Sequence, residues 1–259
     1  MNSGELMKTK LSVLALTSLL MSSAFAQIIN KEFANGNIER VHRGKNQIIL
    51  TFDDGPTPGV TEKVLSVLKA NQVKGTFFIV AQNAKRHPEI MNKIKAEGHL
   101  IGNHSMSHPK LGSLGFFSWK KVVKEEVLDA HEIIFPYMQP GQRFYFRAPH
   151  ASWDSKISKY LNKTDVGAKY IGPVLWDIGG DMEVEGDHYS KTADWACWSK
   201  KLTVDECLEG YLRETDEVKG GVILMHDLVS KSAEMLAKLI PELKLRGYTF
   251  ATLEDAQFE

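Results

Sequence analysis

Seven short apolar runs, each bounded by Gly, Pro, Asn or Asp and separated by segments of helical period, restrict this chain more than any other feature. They lie at 48–52, 76–80, 100–102, 144–146, 171–176, 222–225 and 248–252. Most are apolar throughout rather than alternating, which is how strands covered on both faces of a parallel sheet read. Between them, Val64, Leu65, Val67 and Leu68 mark one side of a helix over 61–71, and Ile90, Met91 and Ile94 mark that of a helix over 88–97. A longer helix is expected over 119–135, with others near 204–215 and 232–245. The alternation predicts an α/β fold, a barrel of parallel strands with helices outside, with a doubly wound open sheet as the alternative.

Charge narrows the function. In 259 residues, 32 Lys and Arg balance 32 Asp and Glu, and 43% of the chain is apolar. No polybasic stripe exists to neutralise a phosphate backbone or anionic lipid, so no nucleic-acid or membrane-surface partner is expected. At the N-terminus, Lys8 and Lys10 precede an apolar run over 11–21, too short to span a bilayer of about 30 Å. Ala24 and Ala26 then stand three and one residues before Gln27, the pattern of a signal-peptidase site, with Met7 a reasonable natural start. Residues 1–26 are therefore expected to be a cleaved signal, 27–46 a polar N-terminal arm and 47–259 one catalytic domain. The product would be exported, periplasmic or secreted, with no membrane anchor after cleavage, and monomeric. In an oxidising compartment Cys197 and Cys207, the two cysteines, can form a disulfide closing a surface loop.

Chemistry is expected where the strands end, since working residues of an α/β barrel sit in loops at the carboxyl ends of its strands. Asp53-Asp54-Gly55-Pro56 follows the first strand, and two adjacent ionised carboxylates call for a nearby cation. His104-Ser105-Met106-Ser107-His108 follows the third, where i, i+4 spacing on a helical turn would bring two imidazoles to one side as ligands of one metal. An Asp oxygen completes a His-His-carboxylate set with positions open for water and substrate, a catalytic arrangement. Arg147-Ala148-Pro149-His150 follows the fourth strand, and Leu224-Met225-His226-Asp227 closes the sixth. Alone, Asp53 would cap a turn, Arg147 would be a surface Arg and His226 a structural His. Four strand ends carrying Asp-Asp, His-x3-His, Arg and His point instead to one site.

In that order these motifs resemble those of the NodB-type polysaccharide deacetylases, carbohydrate esterase family 4, over about residues 47 to 253. The resemblance implies a distorted (β/α)7 barrel that removes acetyl groups from sugar polymers with one divalent metal, commonly zinc. It implies Asp54, His104 and His108 as metal ligands and Asp53 as the general base that deprotonates the attacking water. Arg147 would orient Asp53, His226 would protonate the departing amine, and Leu224 would line the acetyl pocket. The expected partner is an acetylated polysaccharide: peptidoglycan first, with chitin oligomers or O-acetylated xylan as alternatives, and a non-catalytic glycan-binding module on the same fold as the contrasting reading.

Two departures matter. His150 stands where the family has Tyr; a backbone N–H donor to the oxyanion tolerates that change, and the imidazole could touch substrate. The Asp-Trp expected after the fifth strand to support the catalytic His is displaced. Asp181 is near the strand but precedes Met182, whereas Asp194-Trp195 follows an apparent insertion over 182–201, and both Asp181 and Asp194 stay candidates. Trp195 could stack on a sugar ring, while Trp198 is read as packing the insertion onto the barrel.

Overall fold

The computed structural model describes residues 46–256. The expected signal segment 1–26, and the expected arm 27–46 apart from Asn46, lie outside the described residues. Strand β1 (Gln47–Asp53) is buried from Ile48 onward and lies at the centre of the sheet. It is flanked in parallel by β2 (Thr76–Ile79) on one edge and β8 (Gly221–His226) on the other, with β3 (Leu100–Asn103) beyond β2. β9 (Thr249–Ala251) adds in parallel to the first three residues of β1. All four residues of β2 and of β3 are buried, which explains why these runs carry no polar alternation.

The remaining circuit is irregular. β4 (Phe144–Tyr145) and β5 (Tyr170–Ile171) form a separate parallel pair, joined to β3 by a single Asn103–Phe146 bridge. Beyond β5 the chain meets β8 through a single Ile178–Ile223 bridge. All seven expected strands are present and parallel, and the breaks in the ladder among the described residues match the distorted form of barrel that the resemblance implies. The strand expected over 171–176 stops at Ile171 because Pro173 has no N–H to give the ladder. Gly172 there sits at φ 147°, with a hypothetical Cβ only 2.1 Å from the Phe146 carbonyl oxygen.

Helices cover the outer face. α1 (Thr61–Ala70) buries Val64, Leu65 and Leu68 against the sheet, as the sequence period predicts. α2 (Ala81–Arg86) follows β2 and was not expected; α3 (Pro88–Ala96) opens on its proline, whose missing N–H costs nothing at a helix start. α4 (Trp119–Val123) and α5 (Asp129–Ile134) share the 119–135 region, separated by a π turn at Lys124–Leu128. α6 (Ser155–Leu161) is capped by the Asp154 side chain, which accepts the Lys156 N–H.

The insertion is structured. It forms an antiparallel hairpin of β6 (Glu183–Glu185) and β7 (His188–Lys191), then α7 (Asp194–Ser199). α8 (Val204–Val218) starts with a reciprocal Thr203–Glu206 capping box, and α9 (Ser230–Leu245) packs beside it. Cys197 on α7 and Cys207 on α8 form a disulfide, as expected. Both cysteines are fully buried, so the bridge pins α7 from beneath instead of closing an exposed loop. Replacing both by Ala is expected to lower unfolding free energy by about 2–4 kcal/mol, read as a smaller urea midpoint at unchanged m-value.

Candidate active site

The last residue of β1, Asp53, pairs in register with the last residue of β8, His226, so strand pairing alone sets these two groups side by side. Asp53 is buried, and its Oδ1 accepts a 2.7 Å hydrogen bond from Arg147 Nη1. Arg147 is itself 0% exposed. Its Nε donates to the Val174 carbonyl at 2.9 Å, Nη1 also to Thr51 Oγ1 at 2.8 Å, and Nη2 to the Leu175 carbonyl at 3.3 Å. The guanidinium lies over the Phe78 ring at 4.2 Å. Burial pulls Arg147 below its ordinary pKa, and the Asp53 charge works against that loss. Arg147 is thus no surface residue; it is the fixed donor that orients Asp53.

Asp54 turns the other way. Its backbone is left-handed at φ 77°. Asp54 Oδ1 lies 3.3 Å from His104 Nε2 and 3.1 Å from His108 Nε2. His104 Nε2 also stands 3.6 Å from Asp53 Oδ2. His104 Nδ1 is 2.8 Å from the Arg147 carbonyl oxygen, which can only accept, so Nδ1 carries a proton and Nε2 is the ring nitrogen turned toward Asp54. Burial acts to raise the Asp54 carboxyl, but the two imidazoles outweigh it and hold the group well below the usual carboxylate range. The expected helical turn is absent. His104 to His108 form a loop in which Ser105 and His108 are left-handed, at φ 70° and 66°, and the His108 N–H is held by Ser105 Oγ at 2.9 Å. Imidazoles four residues apart meet here by two backbone reversals and not by helical pitch.

These groups fit a divalent cation. One ligand atom from each of Asp54, His104 and His108 lies within 4.8 Å of the others. Atoms about 2.0–2.2 Å from a tetrahedral zinc sit roughly 3.4 Å apart, close to both separations from Asp54. Asp54 Oδ1 is buried and, among the described residues, accepts no hydrogen bond of proper geometry, so it is short of a positive partner.

His226 is held from the opposite side. Its Nδ1 is 2.7 Å from Asp194 Oδ1, and its own N–H donates to Asp194 Oδ2 at 2.8 Å. Asp194, fully buried at the start of α7, also accepts from Ser232 Oγ at 2.8 Å and from the Trp195 N–H at 2.8 Å. Burial opposes charge on His226, but Asp194, with Asp53 and Asp54 beyond it, pushes the imidazole up to about 9. It therefore carries a proton at neutral pH, with Nε2 left to donate.

Comparison with known proteins agrees with this geometry. A profile of the polysaccharide deacetylase family matches residues 40–168. The chain is 30% identical over 215 residues to the peptidoglycan-N-acetylmuramic acid deacetylase PdaA of Bacillus subtilis, spanning 82% of this chain and 72% of that one. It belongs to the polysaccharide deacetylase family. The chitooligosaccharide deacetylase of Azorhizobium caulinodans is 27% identical over 232 residues, covering 84% of this chain and 98% of the relative. The solved structure of B. subtilis PdaA, a family 4 carbohydrate esterase, superposes with a TM-score of 0.68 at 26% identity, covering 88% and 86% of the two chains.

Within this polysaccharide deacetylase the two candidates for the partner of His226 separate. Asp194 holds it; Asp181 is exposed and acts electrostatically on Glu214 instead, because the insertion doubles back and returns its own helix to the end of β8. Trp195 is 56% exposed beside Asp194, while Trp198 is partly buried and donates through Nε1 to Ser232 Oγ at 2.9 Å. His150 is exposed and left-handed at φ 55°, its ring 4.4 Å from that of His108. Leu224 is buried two residues before His226 and so shares its face of β8. Sequence reasoning missed Ser232 and Tyr211. The Tyr211 hydroxyl accepts the Asp194 N–H and donates to the Leu224 carbonyl at 2.8 Å, and only glycine fits at position 179, where a Cβ would lie 2.7 Å from that hydroxyl. Both residues lie on ordinary amphipathic helices, where nothing in the pattern marks them. Asp194→Asn is expected to lower the His226 pKa from about 9 by at least about one unit, followed as the pH dependence of its imidazole NMR signals; Asp181→Asn is expected to leave that titration in place.

Proposed function

We propose that the chain is an exported, metal-dependent deacetylase that hydrolyses the N-acetyl groups of amino sugars in a polysaccharide, peptidoglycan foremost, with residues 47–259 as its catalytic domain after loss of 1–26. The observation that carries this reading is the convergence of Asp54, His104 and His108 on one point, with Asp53 and His226 paired at the neighbouring strand ends. Two imidazoles and a carboxylate suit zinc. A divalent ion held there supplies positive charge that polarises the acetyl carbonyl and makes a nearby water more acidic.

The chain's own groups do the rest. Asp53, fixed by Arg147, takes the proton from the attacking water, whose oxygen bonds to the acetyl carbon. The backbone N–H at His150 serves as a donor to the oxyanion that forms. The carbon–nitrogen bond then breaks, and His226, charged and aligned by Asp194, gives its proton to the sugar nitrogen, so that a free amine and acetate leave. Leu224 lines the space for the acetyl methyl, and exposed Trp195 stacks on a sugar ring beside it.

Peptidoglycan is favoured by the resemblance to PdaA. A chitooligosaccharide is the second substrate class, favoured by the relative whose length the match almost wholly covers. An O-acetylated xylan is a more distant alternative. A glycan-binding module without catalysis has no use for Asp53, Arg147, Asp194 and His226 in hydrogen-bonded alignment.

Acetate release from peptidoglycan and from chitooligosaccharides, with and without a chelator, tests the proposal. The expected result is release that the chelator abolishes and zinc restores. Asp53→Asn is expected to retain zinc but lose about 10²–10⁴-fold in kcat, whereas His104→Ala and Asp54→Ala are expected to lose the ion. Acetate release by Asp53→Asn at the wild-type rate would rule out that carboxylate as the base. Because His226 must be protonated to act, activity is expected to fall as pH rises through its raised pKa, and Asp194→Asn moves that alkaline limb to lower pH.

A further inference from the structure

The helical stretch over 119–134 is broken by the π turn Lys124–Leu128, where the Asp129 N–H reaches back five residues to the Lys124 carbonyl. Such turns are rare within helices and concentrate at functional sites. This one faces the loop that carries His104 and His108. Glu126 Oε2 accepts the N–H of Met106 at 3.0 Å and of Ser107 at 2.8 Å, and its Oε1 accepts the Ser107 hydroxyl at 2.6 Å. One residue on, the Val127 carbonyl accepts from Asn103 Nδ2 at 2.9 Å, and Asn103 Oδ1 accepts the Ser105 N–H at 2.9 Å.

The loop between the two imidazoles belongs to no helix or strand, and two of its residues hold left-handed backbone that residues with a Cβ rarely adopt. Its shape must therefore come from outside. The N–H groups of Ser105, Met106 and Ser107 are all taken by Asn103 and Glu126, and the carbonyls of Ser105 and Met106 accept from the first two amides of α2, those of Ala81 and Gln82. Only a carboxylate offers two oxygens to three donors while bringing no donor of its own.

We propose that Glu126, presented by the π turn, is a positioning residue for the ion site: it sets the loop in the shape that turns both Nε2 atoms toward Asp54, without touching the ion itself. The inference rests on the metal-dependent reading above. A regular helix can place a carboxylate near the loop, but the widened turn serves two grips at once, the Glu126 side chain on one half of the loop and the Val127 carbonyl, through Asn103, on the other.

Zinc affinity of the metal-free full chain, measured by competition with a chromophoric chelator, tests this directly. Glu126→Ala is expected to weaken zinc binding about 10–100-fold, the usual loss when a group supporting a ligand is removed, with helical circular dichroism retained. Glu126→Gln keeps one acceptor oxygen and is expected to fall between the two. Wild-type affinity in folded Glu126→Ala overturns the proposal; if that variant does not fold, Glu126→Gln decides, with wild-type affinity again overturning it. Loss of zinc in His104→Ala beside full retention in Glu126→Ala defeats this inference alone. A wild-type chain that takes up no zinc defeats the metal-dependent reading and this inference with it.

Discussion

Two carboxylates next to each other at the end of one buried strand repel, and the surroundings of that strand end are organised around offsetting their charge. Asp53 is paired with a guanidinium with no exposed surface and Asp54 with two imidazoles, and His104 Nε2 reaches both, 3.6 Å from Asp53 Oδ2 and 3.3 Å from Asp54 Oδ1. Asp54 leaves β1 in a left-handed conformation. The following Gly55 has no freedom to become anything larger, since a Cβ there would lie 2.2 Å from Asp227 Oδ2. Asp227 is buried against Thr61, and burial pushes its carboxyl up to about 7. A side chain at position 55 would therefore displace a group next to His226 as well as one next to Asp53.

Strain gathers at the same place. Of the nine left-handed residues other than glycine among the described residues, five (Asp54, Ser105, His108, His150 and Ala151) sit in the loops that form the site. Each such conformation costs on the order of 1 kcal/mol or more and persists only where neighbours overdetermine it. The neighbours are visible: Arg147 gives its carbonyl to His104 and its guanidinium to Asp53, so one buried residue ties the His104 loop to the end of β1. Ser232 and Tyr211 hold the Asp194 that holds His226.

How far this was legible in the sequence follows from which contacts are local. The seven strands could be read because burial on both faces leaves unbroken apolar runs, and the strand ends could be read because the chemistry sits directly after them. The Gly172-Pro173 pair was equally visible, yet it lay inside an apolar run and its effect on the ladder was overlooked. His104 and His108 lie together as expected, but by a different route, since a spacing of four cannot distinguish a helical turn from a loop bent by Ser105. Asp194 was undecidable against Asp181 because the answer depends on where an insertion returns in space. The cysteines, by contrast, could be paired from the expectation of an oxidising compartment and from there being two of them.

The aspartate behind His226 arrives on an excursion anchored by a covalent staple, not on the strand that began it. The hairpin of β6 and β7 is thereby separated from the disulfide that keeps the aspartate's helix in place. A change of outline in that hairpin therefore leaves in place the helix whose first residue, Asp194, grips His226.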